Sequence, residues 1–145
     1  MNIEIITAPL HLDIYGFSGV ALDKDYAGTA FKLSLKMWET VKSADLKNKG
    51  LNVWVYEDGD RVFAGIELDA IPSAATNLEH KNIDLRKYAY FKHVGAYQLI
   101  KRAGQKLQQE LSSRGFVTGL PYIEIYGHWT NDESKLETEL IVRVE

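Results

Sequence analysis

Apolar positions recur along this chain with two different periods, and the places where one gives way to the other mark its elements. Residues 3–7 and 13–22 read as strands, separated by Pro9 and loosened by Gly16 and Gly19. The period then lengthens. Ala27, Ala30, Phe31, Ser34, Leu35, Trp38 and Val41 follow at helical spacings, with Lys32, Lys36, Glu39 and Lys42 on the other side. Asp23 or Asp25 is placed to cap this helix, since a short acceptor side chain satisfies free N–H groups of a first turn. Asn48-Lys49-Gly50 closes the region, residues 51–56 form the next strand, and residues 61–68 return across the turn Glu57-Asp58-Gly59-Asp60.

Residues 69–84 are polar, contain Pro72 and show no period, so they read as a connection between two halves. Residues 85–94 make an aromatic strand carrying Tyr88, Tyr90 and Phe91. After Gly95 comes a helix with Ile100, Ala103, Leu107 and Leu111 on one face, and Gly115 suits the left-handed residue that ends it. Residues 122–126 and 138–144 complete a second hairpin. The order strand, helix, strand, strand is thus read twice. The predicted fold is α+β: two βαββ repeats with pseudo-two-fold symmetry, forming one curved antiparallel sheet with two helices on one face. We expect a single domain over residues 1–145, with repeats at about 1–70 and 85–145 and a linker at about 71–84.

Composition narrows the function classes. The chain has 145 residues, 46% of them hydrophobic, which is enough for a core and gives no case for disorder. A formal charge of -3 and a pI near 5.8 argue against direct nucleic-acid binding, which rests on a basic surface. No apolar run approaches the length of a bilayer span, so no membrane partner is expected. The first residues lack the basic and apolar regions of a signal peptide, and there is no Cys, so the expected location is cytoplasmic. His11, His80, His93 and His128 lack metal-ligand spacing. Gly16-Phe17-Ser18-Gly19 departs from a nucleophile elbow in its last Gly, and no phosphate-cradling Gly loop is present. Neither metal nor cofactor is expected.

The strongest chemical signal is Tyr122-Ile123-Glu124-Ile125-Tyr126. Extended backbone sends Tyr122, Glu124 and Tyr126 to one face and Ile123 and Ile125 to the other, so two phenols flank a carboxylate. Covered, such an acid needs a cation or hydrogen-bond donors to offset its lost hydration.

In order and spacing these segments resemble the GyrI-like family, also called AraC-type effector-binding domains. The likeness is carried by Tyr88-Ala89-Tyr90-Phe91-Lys92-His93-Val94-Gly95-Ala96-Tyr97, by the helix after it, and by Pro121-Tyr122-Ile123-Glu124-Ile125-Tyr126. Trp38 and Val55-Tyr56-Glu57-Asp58 add weaker matches in the first half. The resemblance implies a pocket where the halves meet, with Glu124 at its base, Tyr126 beside it, and Tyr90 and Trp38 as lining. Strand alternation adds Trp54, Tyr56 and Tyr122 to the expected ligand-binding residues. The expected partner is a lipophilic cationic small molecule, taken up by a stand-alone sensor or sequestering module without catalytic residues. An unpaired edge strand would support a homodimer, and any effect on transcription would require a separate regulatory protein. Two alternatives stay open from the sequence: a hydrolase of strained, cyclopropane-type natural products with Glu124 as base or electrostatic stabiliser, and a protein-binding inhibitor similar to the gyrase inhibitor.

Overall fold

A computed structural model describes residues 1–145, whose backbone forms an eight-stranded antiparallel sheet with two long helices. In chain order the elements are β1 (Glu4–Ile6), β2 (Leu10–Val20), α1 (Tyr26–Ser43), β3 (Asn52–Glu57), β4 (Arg61–Ile66), β5 (Glu79–Leu85), β6 (Tyr88–Val94), α2 (Ile100–Ser113), β7 (Thr118–Tyr126) and β8 (Glu137–Val144). Each half is therefore strand, strand, helix, strand, strand, one strand more than the expected unit.

The extra strand of the second half lies where a linker was expected. Residues 79–85 pair with β2 from Leu10↔Leu85 to Gly16↔Glu79. Their outer positions His80, Asn82 and Asp84 are exposed, and only Ile83 and Leu85 are buried. Two apolar residues are too few to make the alternation visible in the sequence. The connection between the halves is correspondingly shorter.

Asp25 caps α1, its side chain accepting a hydrogen bond from the Gly28 backbone N–H at 3.1 Å. The buried stripe of α1 is Ala30, Ser34, Met37 and Val41, whereas Phe31 and Leu35 stay exposed. One residue advances a helix by about 100°, so these two lie beside the contact line rather than on it. In α2 the buried residues are Ile100, Ala103, Leu107 and Leu111, as expected.

The strand order is β1-β6-β8-β7-β3-β4-β2-β5. β5 stands at one end of that order and β6 next to the other, yet only Arg86 and Lys87 connect them. So short a connection requires the sheet to curl until its ends approach, although β1 and β5 remain unpaired edges. No helix covers the inner face, yet Ile14, Val55 and Ile123 are completely buried there, because the curled sheet closes over them.

Both helices pack on the outer face. α1 lies on β2 and β4 through Phe17, Val62 and Ile66, and α2 lies over β6 and β8 through Ala89, Leu140 and Val142. The two central strands, β7 and β3, are left between them. That gap positions the site.

Candidate functional site

Between α1 and α2 runs an open groove of about 1270 Å³ whose floor is β3 and β7. Register decides what the floor displays. Antiparallel pairing sets Tyr56 opposite Tyr122, Trp54 opposite Glu124 and Asn52 opposite Tyr126. All six side chains line the groove, while Ile123 packs in the inner core with Ile125 against it. The rings associate in pairs, Trp54 with Tyr126 at 4.6 Å between centroids and Tyr56 with Tyr122 at 5.8 Å. Such contacts hold large apolar faces in fixed orientation with little conformational freedom.

Glu124 lies at the centre, 7% exposed. Its Oε1 accepts hydrogen bonds from the hydroxyls of Tyr126 at 2.6 Å and Tyr56 at 3.3 Å. Its Oε2 accepts from the Tyr122 hydroxyl at 2.8 Å. No ion pair of the chain includes Glu124. The acid is thus solvated by neutral donors alone, all of them phenols. Burial, and after it the Glu124 charge, holds the Tyr56, Tyr122 and Tyr126 hydroxyls well above the ordinary phenol range, so they remain protonated donors.

Helix α2 crosses close over this cluster. A Cβ at Gly104 would stand 3.2 Å from the Tyr122 hydroxyl, tighter than ordinary contact, so glycine lets the helix approach the phenol. At the other wall, Tyr26 at the start of α1 donates to Asp60 at 2.5 Å and sets its ring edge-on to Tyr56.

Of the residues expected from sequence, Glu124, Tyr122, Tyr126, Tyr56 and Trp54 come together in the groove. Tyr90 does not. On β6 it alternates with Ala89 and Phe91, which face α2, so it packs against the inner core instead. Burial, and after it the neighbouring Glu139 carboxylate, raises the Tyr90 hydroxyl pKa. Trp38 does not line the groove either. It projects from α1 against the cluster of Phe17, Met37, Val41 and Ile66, and its indole N–H donates to Asn52 Oδ1 at 2.6 Å, a side chain that Ser34 also supports at 3.2 Å. Trp38 therefore steadies a lining residue.

The sequence reading missed Tyr26, Phe31, Tyr97 and Trp129, all of which line the groove. Trp129 carried a signal, being a lone large aromatic within the polar stretch His128-Trp129-Thr130-Asn131-Asp132. Tyr97 and Phe31 carried none, because their partners come from distant elements.

A family model described as the GyrI-like small molecule binding domain matches residues 52–145. Among solved structures, the chain is similar to the EcmrR C-terminal domain, with a TM-score of 0.77 at 16% identity over 100% of this chain and 99% of that one. It is similar to SAV2435, solved bound to tetraphenylphosphonium, with a TM-score of 0.66 at 18% identity over 100% and 94% of the two chains. A hydrolase from Listeria innocua follows with a TM-score of 0.58 at 14% identity over 99% and 91%. At these identities the likeness establishes the fold. No curated protein matches the chain.

Proposed function

The chain belongs to the GyrI-like small molecule binding domain family, and from that premise we propose that its groove binds lipophilic organic cations with Glu124 as their counter-charge. One observation carries the reading: a carboxylate 7% exposed, held by three phenol donors and by no cationic side chain. Burying a charge without an opposite charge is costly, and a bound cation removes that cost. A large delocalised cation suits the site because it gives up little hydration and is attracted to aromatic faces. The phenols spend their O–H groups on Glu124, so a ligand meets mainly their rings. Rings demand no exact hydrogen-bond pattern, so the site selects charge and tolerates shape. Tetraphenylphosphonium, the ligand of the SAV2435 structure, belongs to this chemical class.

Binding is favoured over hydrolysis by the same hydrogen bonds. A carboxylate has about four acceptor positions, and phenols occupy three of them here, so an attacking water would compete for the one that remains.

The test is a titration of the protein with tetraphenylphosphonium and with neutral triphenylphosphine oxide, followed by tryptophan fluorescence. The cation is expected to bind at least about tenfold more tightly, the effect of a single favourable charge contact in a desolvated site. Equal affinity for the two compounds would overturn the proposal.

Gly104→Ala offers a second check on the phenol cluster. Alanine gains up to about 1 kcal/mol of helix propensity, while its Cβ presses on the Tyr122 hydroxyl. We expect thermal stability to change little and cation affinity to fall about threefold to tenfold, as loss of one well-aligned donor would produce. A variant that binds as the wild type does would show that the Tyr122 donor is dispensable.

A further inference from the structure

Glu124 accounts for only the middle of the groove. At about 1270 Å³ the groove exceeds the range of roughly 300–1,000 Å³ usual for small-molecule pockets. Its two ends differ in chemistry. Toward the β3–β4 turn the lining is charged, with Lys24, Asp25, Asp58 and Asp60. Toward the end of β7 it is aromatic. Tyr97 sets its ring edge-on to Tyr126 at 5.6 Å, and Trp129 follows Tyr126 by three residues in the β7–β8 connection. Phe31 projects from α1 on the opposite wall.

These three aromatics are 39%, 73% and 56% exposed, for Tyr97, Trp129 and Phe31 in that order. None of them belongs to a hydrophobic core cluster. Three separate elements thus bring exposed rings to one cavity, where apolar surface gains only when something covers it. From Glu124 to Trp129 is at most about 17 Å of extended chain, within reach of one ligand.

We propose that Tyr97 and Trp129, with Phe31 across the groove, form a second subsite that takes the apolar arm of an elongated cationic amphiphile. The proposal rests on the reading of Glu124 as the partner of the cationic head. The arm runs toward Trp129 because the opposite end, lined by Asp58 and Asp60, keeps its charges hydrated. A compact cation leaves this subsite empty and a long-armed one fills it.

The experiment is calorimetric titration with a series of alkyltrimethylammonium ions, from tetramethyl- to decyltrimethylammonium, each below its micelle-forming concentration. In the wild type, affinity is expected to rise about fourfold per methylene, the value for moving a CH₂ group out of water, and to level off once the arm outgrows the groove. Trp129→Ala is expected to flatten that dependence, with decyltrimethylammonium losing at least about tenfold and tetramethylammonium changing less than twofold. Its exposure makes this substitution safe for folding, and Tyr97→Leu serves as an independent second variant. Glu124→Gln should instead weaken every member of the series alike. A chain-length dependence absent from the wild type, or as steep in both Trp129→Ala and Tyr97→Leu as in the wild type, would overturn the arm subsite. A series that keeps its chain-length dependence while Glu124→Gln changes nothing would overturn the head-group reading and leave the arm subsite standing. Absence of binding by every member would overturn both.

Discussion

Replacing Glu124 with glutamine is expected to lower the affinity for tetraphenylphosphonium about a hundredfold, while triphenylphosphine oxide changes less than about threefold. Removing one partner of a desolvated charge pair costs about 2–5 kcal/mol, and every 1.4 kcal/mol is roughly tenfold in affinity. Glutamine isolates the charge because it preserves shape and most of the hydrogen bonding. Its amide oxygen takes the place of Oε1 and accepts from Tyr56 and Tyr126. Its amide nitrogen faces the Tyr122 hydroxyl, whose proton can turn away so that the phenol oxygen accepts. The fold should therefore survive at a cost of about 1–2 kcal/mol, readable as a modest fall in melting temperature. A hundredfold loss for the cation alone would assign the attraction to the carboxylate. Parallel losses for cation and neutral compound would instead indicate a collapsed groove, and no loss for either would remove Glu124 from recognition.

Alkaline solution should unfold this protein steeply. The Tyr56, Tyr122 and Tyr126 hydroxyls are held above the ordinary phenol range by burial and, second, by the Glu124 charge. In the unfolded chain the same groups ionise near pH 10. Their contribution to stability is therefore complete below pH 10 and declines as the pH rises beyond it, because the unfolded chain releases protons that the folded one retains. Each phenol adds a slope of about 1.4 kcal/mol per pH unit, so three together give about 4. A stability of about 5–15 kcal/mol is then exhausted within a few pH units above 10. Circular dichroism and phenolate absorbance should change together in one transition, except for a gradual contribution from exposed tyrosines. Tyr122→Phe should make the decline shallower by about 1.4 kcal/mol per pH unit, the share of one phenol, although it also costs about 1.5–3 kcal/mol at neutral pH by removing a charge-assisted hydrogen bond. If all the phenolate instead appeared well before the fold was lost, the three phenols would not be linked to folding as the geometry requires.

Much of this architecture was legible because its signals are local. The stripe Ile100, Ala103, Leu107 and Leu111, the cap at Asp25, and the turn ending in Gly59 and Asp60, both at positive φ, follow from spacing and backbone preference. β5 was hidden because its outer face is solvated and its inner face holds only two buried apolar residues. The contact line of α1 was misplaced for a related reason. Phe31 and Leu35 are as apolar as Met37, and only the packed sheet distinguishes the residue that touches it from those beside it.

Alternation within β7 by itself determined that Tyr122, Glu124 and Tyr126 share a face, since the side-chain period of a strand is a property of the backbone. It could not determine what that face meets. Curling of the sheet sent Tyr90 to the inner core, the helix spacing left β3 and β7 uncovered, and the β3–β7 register brought Tyr56 to Glu124 across 68 residues of sequence. Trp129 and Tyr97 joined the same groove from a loop and a helix entrance. Periodicity is written along the chain, whereas convergence on a buried carboxylate depends on pairings between distant segments, which only the folded sheet specifies.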